Sequence, residues 1–294
     1  MTTTKDANPP AFKCRMCAKP GAKPFWSERH NGQAYNVVYC RHCELYQTAE
    51  QFDSISPEYM DLSLTDINES RLWCQADHKR AAFDRCFEVH QRLTDKPVST
   101  IRLLDVGCAT GGFLSYARTI GVRHLYGFDA SAAQIQHSRE HFETVRVATN
   151  VAEYLSQLAI SLQFDFITMW DVLEHVREPR NMLSGLTQAL SSDGLLFASV
   201  PNGGALKWKK TLATLPNTPY ALVPWEHVFY HSTASLARLM SSVDCSLVWC
   251  GTAACYPRPL TAFELLRRIG FRMLSRIPSL SPQICVFARK TPCE

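Results

Sequence analysis

Residues 101–112 read Ile101-Arg-Leu-Leu-Asp105-Val106-Gly107-Cys108-Ala109-Thr110-Gly111-Gly112. The first half is a short apolar run that predicts a buried strand, and glycines end it abruptly. A helix pattern begins near Phe113. A glycine loop between a first strand and a first helix lets a ligand approach the backbone and meet the helix N-terminus.

Downstream, a second strand over His124–Phe128 closes on Asp129. Short apolar strands alternate with amphipathic helices from there on, the signature of an α/β fold with a Rossmann-like parallel sheet and helices on both faces. A carboxylate about 20 residues beyond the glycine loop is placed to accept the ribose hydroxyls of an adenosine ligand. Asp129 could also cap the helix starting near Ser131, and the two roles are compatible. A dinucleotide fingerprint would carry glycine at Ala109, where pyrophosphate meets the backbone; alanine suits a ligand without phosphate better.

Upstream, Cys14-Arg-Met-Cys17 and Cys40-Arg-His-Cys43 form two CxxC pairs separated by residues 18–39. Each tight turn lets two thiolates face one ion, and two turns complete a tetrahedral sulfur shell, so a small zinc ribbon with structural Zn2+ on Cys14, Cys17, Cys40 and Cys43 is expected. Such a closed site leaves no position for substrate, which makes the metal a folding element. Asn31-Gly32 followed by Ala34, Tyr35, Val37 and Val38 signals a hairpin leading into the second pair. The other eight of the twelve cysteines have no paired spacing and read as small buried apolar residues.

Composition narrows the class. A chain of 294 residues with 46% hydrophobic and 20% charged residues is globular, and 294 residues suit one large domain with a small appendage. The net charge of +4 is too modest and too dispersed for a dedicated nucleic-acid binder. Residues 1–10 are polar, and no apolar run approaches the roughly 20 residues that span a bilayer. A cytoplasmic location is the default expectation. The domain reading is a zinc module over 1–50, a connector and packing helix over 51–97, and a catalytic domain over 98–294 with lid insertions at 203–232 and 258–278. A helix is expected over Glu69–Leu93, and Leu260–Ile277 reads as a helix that covers a sheet edge or serves as a lid or homodimer contact.

Three ordered stretches, Leu103–Gly112, Phe164-Asp-Phe-Ile-Thr-Met-Trp-Asp-Val-Leu-Glu-His175 and Gly194-Leu-Leu-Phe-Ala-Ser-Val-Pro-Asn202, resemble class I S-adenosylmethionine-dependent methyltransferases. With its zinc module the chain is similar to bacterial sugar C-methyltransferases and related small-molecule enzymes. The resemblance implies S-adenosylmethionine as cofactor. It assigns Asp105, Gly107, Cys108, Ala109, Gly111 and Phe113 to the wall around the methionine and ribose parts, and Asp129 with Ala130 to the ribose. Asn150 and Val151 fall beside the adenine, with Asn150 departing from the usual acidic residue, and Trp170 and Asp171 fall beside the methionine.

In-line methyl transfer chiefly requires donor and acceptor to be held in line, with a base where the acceptor is a poor nucleophile. Two groups could supply one: Glu174-His175 after the fourth strand, and Glu226-His227 with Tyr230 in the lid region. His227 resembles the acceptor-site histidine of the sugar enzymes, with Glu226 as its orienting partner. Either histidine could equally be a packing residue. Glu174-His175 is also similar to the magnesium-assisting pair of ubiquinone-pathway O-methyltransferases, though the rest of that pattern is not carried across. Methyl transfer to a small molecule, such as a nucleotide sugar or natural-product intermediate, is the leading expectation. One alternative keeps the cofactor but uses its aminobutyrate arm, releasing methylthioadenosine. Another is a zinc ribbon that binds or modifies RNA or protein.

Overall fold

Two sheets organise the residues described by the computed structural model: 12–50, 77–158, 162–206, 222–252 and 283–292. The N-terminal sheet begins with the hairpin β1 (Lys23–His30) and β2 (Gln33–Cys40). Its turn is Asn31-Gly32, both at positive φ (49° and 80°), the pair of left-handed residues that matches the twist of a two-residue hairpin. Strand β3 (Leu45–Thr48) pairs antiparallel with β2, and β9 (Phe229–Tyr230) adds to the far side of β3. The sheet order is therefore β1-β2-β3-β9, so a strand from the expected lid region completes the cysteine module.

The second sheet has seven strands in the order β10-β11-β8-β7-β4-β5-β6. Strands β4 (Arg102–Val106), β5 (His124–Asp129), β6 (Val145–Val147), β7 (Phe164–Trp170) and β8 (Leu190–Pro201) run parallel. Strand β11 (Gln283–Lys290) inserts antiparallel between β8 and β10 (Cys245–Gly251). Helices α1 (Asp77–Leu93), α2 (Gly112–Thr119) and α3 (Ala132–Arg139) contribute Phe83, Phe87, Leu114 and Ile135 to one core layer. Helices α4 (Val151–Ser156), α5 (Pro179–Ala189) and α6 (Thr233–Ser241) contribute Tyr154, Leu186 and Leu239 to the other. Strand β4 serves both, with Leu103 in the first layer and Leu104 and Val106 in the second, as the alternation of a strand requires.

The expected Rossmann-like sheet is present. The strand order reverses between β4, which pairs with β5 on one side, and β7 on the other; open α/β sheets bind their ligands at the carboxyl ends of strands at such a point. Helix α1 is no mere connector. Phe83 and Phe87 pack on Phe113 at 5.0 and 5.6 Å between ring centroids, making α1 part of the core. The connector 51–76, residues 207–221 of the first lid and the whole 258–278 insertion lie outside the described residues, and with them the expected lid or dimer helix.

Candidate functional site

The loop after β4 is built around backbone that only certain residues tolerate. Gly107, Ala109 and Gly111 all have positive φ (69°, 47° and 79°). At Gly107 a Cβ would lie 2.6 Å from Val172 Cγ2, so part of this glycine's necessity is the close approach of the loop after β7. Ala109 accepts the left-handed conformation while its N–H donates to Asp129 Oδ2 at 3.0 Å. Asp129 Oδ1 accepts from Ser131 N at 2.8 Å. Asp129 is thus buried, and it ties the glycine loop to the end of β5. Ser131, not Asp129, caps α3, its hydroxyl accepting from Gln134 N.

The remaining residues expected at the cofactor fall into two groups. Asp105 is buried and accepts from the Thr168 hydroxyl at 2.7 Å; burial pushes its pKa up to about 7, with Asp129 adding to the shift and Thr168 opposing it. Cys108 is buried against Gly127, and burial raises its thiol well above the ordinary value. Phe113 and Trp170 lie in an aromatic cluster with Phe83 and Phe197, and the buried Trp170 Nε1–H has no hydrogen-bond partner among the described residues. Ala130 is half-buried. Asn150 is exposed and caps α4, its side chain accepting from Glu153 N at 2.9 Å, while Val151 is buried in the core. Asp171, at φ 54°, accepts from Lys79 Nζ at 3.0 Å and from Gln283 Nε2 at 2.6 Å.

On the other side of the β7 terminus, the chain brings distant residues together. Val228 N and Phe229 N donate to Glu174 O at 2.8 and 3.1 Å, which docks the 227–230 segment on the loop after β7. The His175 and His227 rings meet edge to face at 4.8 Å, and His227 meets Tyr230 at 5.6 Å. Glu174, 1% exposed, has neither carboxylate oxygen hydrogen-bonded among the described residues; burial, then the nearby Asp171, raise its pKa. Burial and the neighbouring His175 hold His227 down to about 3, so its imidazole is neutral across the physiological range, and Nδ1 has no hydrogen-bond partner among the described residues. His175 is exposed on one side, yet the protein packed around it lowers its pKa against the opposing pull of Glu226.

Glu226 acts through its backbone. Its carbonyl lies 3.2 Å from His175 Nδ1, while its carboxylate accepts from Trp225 Nε1 at 3.2 Å. The buried acid among these histidines is Glu174, to which sequence reasoning gave no separate role. Its signal was available: a carboxylate directly before His175, preceded by the apolar Val172 and Leu173. Ligand atoms of Glu174, His175 and His227 all lie within 4.8 Å of one another, a spacing that one cation could bridge.

The four module cysteines also converge within that distance. Cys14 Sγ and Cys43 Sγ are 3.9 Å apart, and Cys17 Sγ and Cys40 Sγ 3.8 Å. Zinc–sulfur bonds of about 2.3 Å in a tetrahedron give edges of about 3.8 Å, which these two separations match.

A family model described as a methyltransferase domain matches residues 77–248. A mitochondrial ubiquinone biosynthesis O-methyltransferase of Candida albicans is 32% identical over 120 residues, covering 39% of this chain and 36% of that protein. A ubiquinone biosynthesis O-methyltransferase of a Ruegeria species is 29% identical over 161 residues, covering 52% and 62%. The chain thus spans less than two thirds of these relatives. Among solved structures, the plantazolicin methyltransferase BpumL in complex with SAH superposes with a TM-score of 0.54 at 16% identity, covering 80% of this chain and 92% of that one, which is a likeness of fold.

Proposed function

The chain belongs to the methyltransferase-domain family, and from that premise we propose that it transfers the methyl group of S-adenosylmethionine to a small-molecule acceptor. The observation that carries this reading is the contact between two half-sites. The glycine loop, held by Asp129, packs at Gly107 against Val172; Glu174 and His175 follow Val172 in that same loop, and the segment before β9 brings His227 beside them. The cofactor would lie along the loop with its ribose toward Asp129, and the acceptor would lie toward the histidines.

The sulfonium already activates the methyl carbon, so the protein's task is alignment and removal of the acceptor proton. His227, neutral and with Nδ1 unpartnered among the described residues, suits the role of base or acceptor ligand. His175 abuts it, with the Glu226 carbonyl at its Nδ1, and Tyr230 bounds the same space. Were a divalent cation held by Glu174, His175 and His227, it would polarise an acceptor hydroxyl. The four-cysteine site would hold structural zinc. Nucleotide sugars and natural-product intermediates remain the proposed acceptor class, and the names of the relatives add intermediates of ubiquinone biosynthesis that accept the methyl group on oxygen.

The test is incubation of the full chain with methyl-labelled S-adenosylmethionine and a panel of phenolic and nucleotide-sugar acceptors. Acceptor-dependent adenosylhomocysteine is expected, and His227→Ala should abolish it while leaving adenosylhomocysteine affinity intact. Methylthioadenosine formed without any acceptor would overturn the reading in favour of aminobutyrate chemistry.

A further inference from the structure

The first cysteine knuckle is connected to His227 through a short series of hydrogen bonds. Arg15 lies inside the first CxxC pair. Its N–H donates to Gln47 Oε1 at 3.0 Å, and its Nη2 donates to the carbonyls of Ala49 at 3.3 Å and Glu50 at 2.5 Å. The knuckle thereby clamps both sides of Thr48, the last residue of β3. Gln47 and Thr48 are both fully buried.

Thr48 in turn grips the acceptor-side segment twice. Its hydroxyl donates to His227 O at 2.7 Å, and its N–H donates to Val228 O at 3.0 Å. The register continues with Gln47 opposite Phe229 and Tyr46 opposite Tyr230. Cys14, Cys40 and Cys43 share one apolar cluster with Leu45, Val228 and Phe229, so the sulfur ligands pack on the residues that follow His227. Within the described residues, the 227–229 backbone is held between Thr48 on the module side and Glu174 O on the catalytic side.

We propose that Thr48 and Arg15 are positioning residues for His227, and that zinc on Cys14, Cys17, Cys40 and Cys43 sets the geometry of the acceptor site through them. This rests on the reading that His227 works at the acceptor. In physical terms, two linked knuckles define where β3 runs, β3 defines where β9 can pair, and a buried hydroxyl hydrogen bond fixes the residue just before β9. Removing one partner of such a bond leaves the other unsatisfied. The path runs from Arg15 through Gln47 and Thr48 to His227, on the far side of that segment from the glycine loop's contact with Val172, so cofactor affinity should be independent of it.

The experiment uses the full chain with labelled histidines and adenosylhomocysteine bound, observed by NMR. Thr48→Val should move or split the His227 ring signals, and Thr48→Ser, which keeps the hydroxyl, should restore them. Arg15→Gln is the second variant should Thr48→Val not fold. Stripping zinc with a chelator under reducing conditions should move the same signals, with adenosylhomocysteine Kd changed by less than about twofold. His227 signals unmoved by Thr48→Val, by Arg15→Gln and by zinc removal would overturn the proposal, as would loss of adenosylhomocysteine binding with zinc, because the metal would then support the whole fold. The ring signals are read without turnover. If His227→Ala left methyl transfer intact, the functional reading would fail while the positioning result stood.

Discussion

Replacing Gly107 with alanine is the sharpest probe of how the two half-sites meet. The residue has φ 69°, and a Cβ there would sit 2.6 Å from Val172 Cγ2. The backbone conformation alone costs an L-residue about 1–2 kcal/mol. Forcing a methyl into filled space adds about 1–3 kcal/mol, for a total of about 2–5 kcal/mol. At roughly 2–4 °C per kcal/mol for a chain of this size, the thermal midpoint should fall by at least about 4 °C. Val172 must yield, and it lies two residues before Glu174, so the acceptor side should be displaced along with the cofactor loop. The design separates the two costs. Val172→Ala removes both γ-carbons and leaves its Cβ at an ordinary 3.8 Å from the new methyl, so Gly107→Ala in that background should keep only the backbone cost. Thermal unfolding and adenosylhomocysteine titration of the four-protein cycle should therefore show a favourable coupling of about 1–3 kcal/mol. Additivity within about 0.5 kcal/mol would refute the claim that the loops meet through this contact.

Further outcomes follow from other contacts. Asp129→Ala strands the buried N–H groups of Ala109 and Ser131 and should weaken adenosylhomocysteine binding roughly 10–100-fold by calorimetry; unchanged affinity would remove Asp129 from the cofactor site. Asp105, with a pKa of 3.8 when unfolded and about 7 when folded, contributes stability that is present below about pH 4 and lost as pH rises to about 7. Asp105→Asn should flatten that slope, gaining roughly 4 kcal/mol relative to the parent between pH 4 and pH 8, and parallel stability curves would refute the assignment. Glu174→Gln removes a buried carboxyl whose folded pKa is raised, so in chelator-treated protein the thermal midpoint should rise at pH 8, whereas a fall would point to an ionic partner for the carboxylate. Cys43→Ser should leave the purified chain without stoichiometric zinc by metal analysis; retained zinc would refute the four-sulfur site.

Much of the glycine-loop half of the candidate site is legible in the sequence because its signals are local. The run from Ile101 to Val106, the glycines after it and Asp129 at the next strand end lie in one βαβ stretch, where spacing in sequence translates directly into spacing in space. The hairpin turn at Asn31-Gly32 and the two CxxC pairs are local in the same way, since each pair needs only one tight turn.

The acceptor half was harder to read, and Glu226 shows why. Its position beside His227 suggested a carboxylate partner for that histidine, yet the backbone turn sends the carboxylate to Trp225 and the carbonyl to His175. Which group of a residue meets which neighbour depends on the chain's direction at that point, and one-dimensional spacing does not carry that.

By itself, then, the sequence determined the sheet type, the glycine loop, the carboxylate at the end of β5 and the two CxxC pairs, all of them products of short-range periodicity and turn chemistry. Only the tertiary structure decided that β9 pairs with β3, that buried Glu174 stands beside His175 and His227, and that Thr48 holds the His227 carbonyl. Those contacts join residues as far apart as 48 and 227, and they exist because burial and strand pairing bring distant segments together, which no local pattern records.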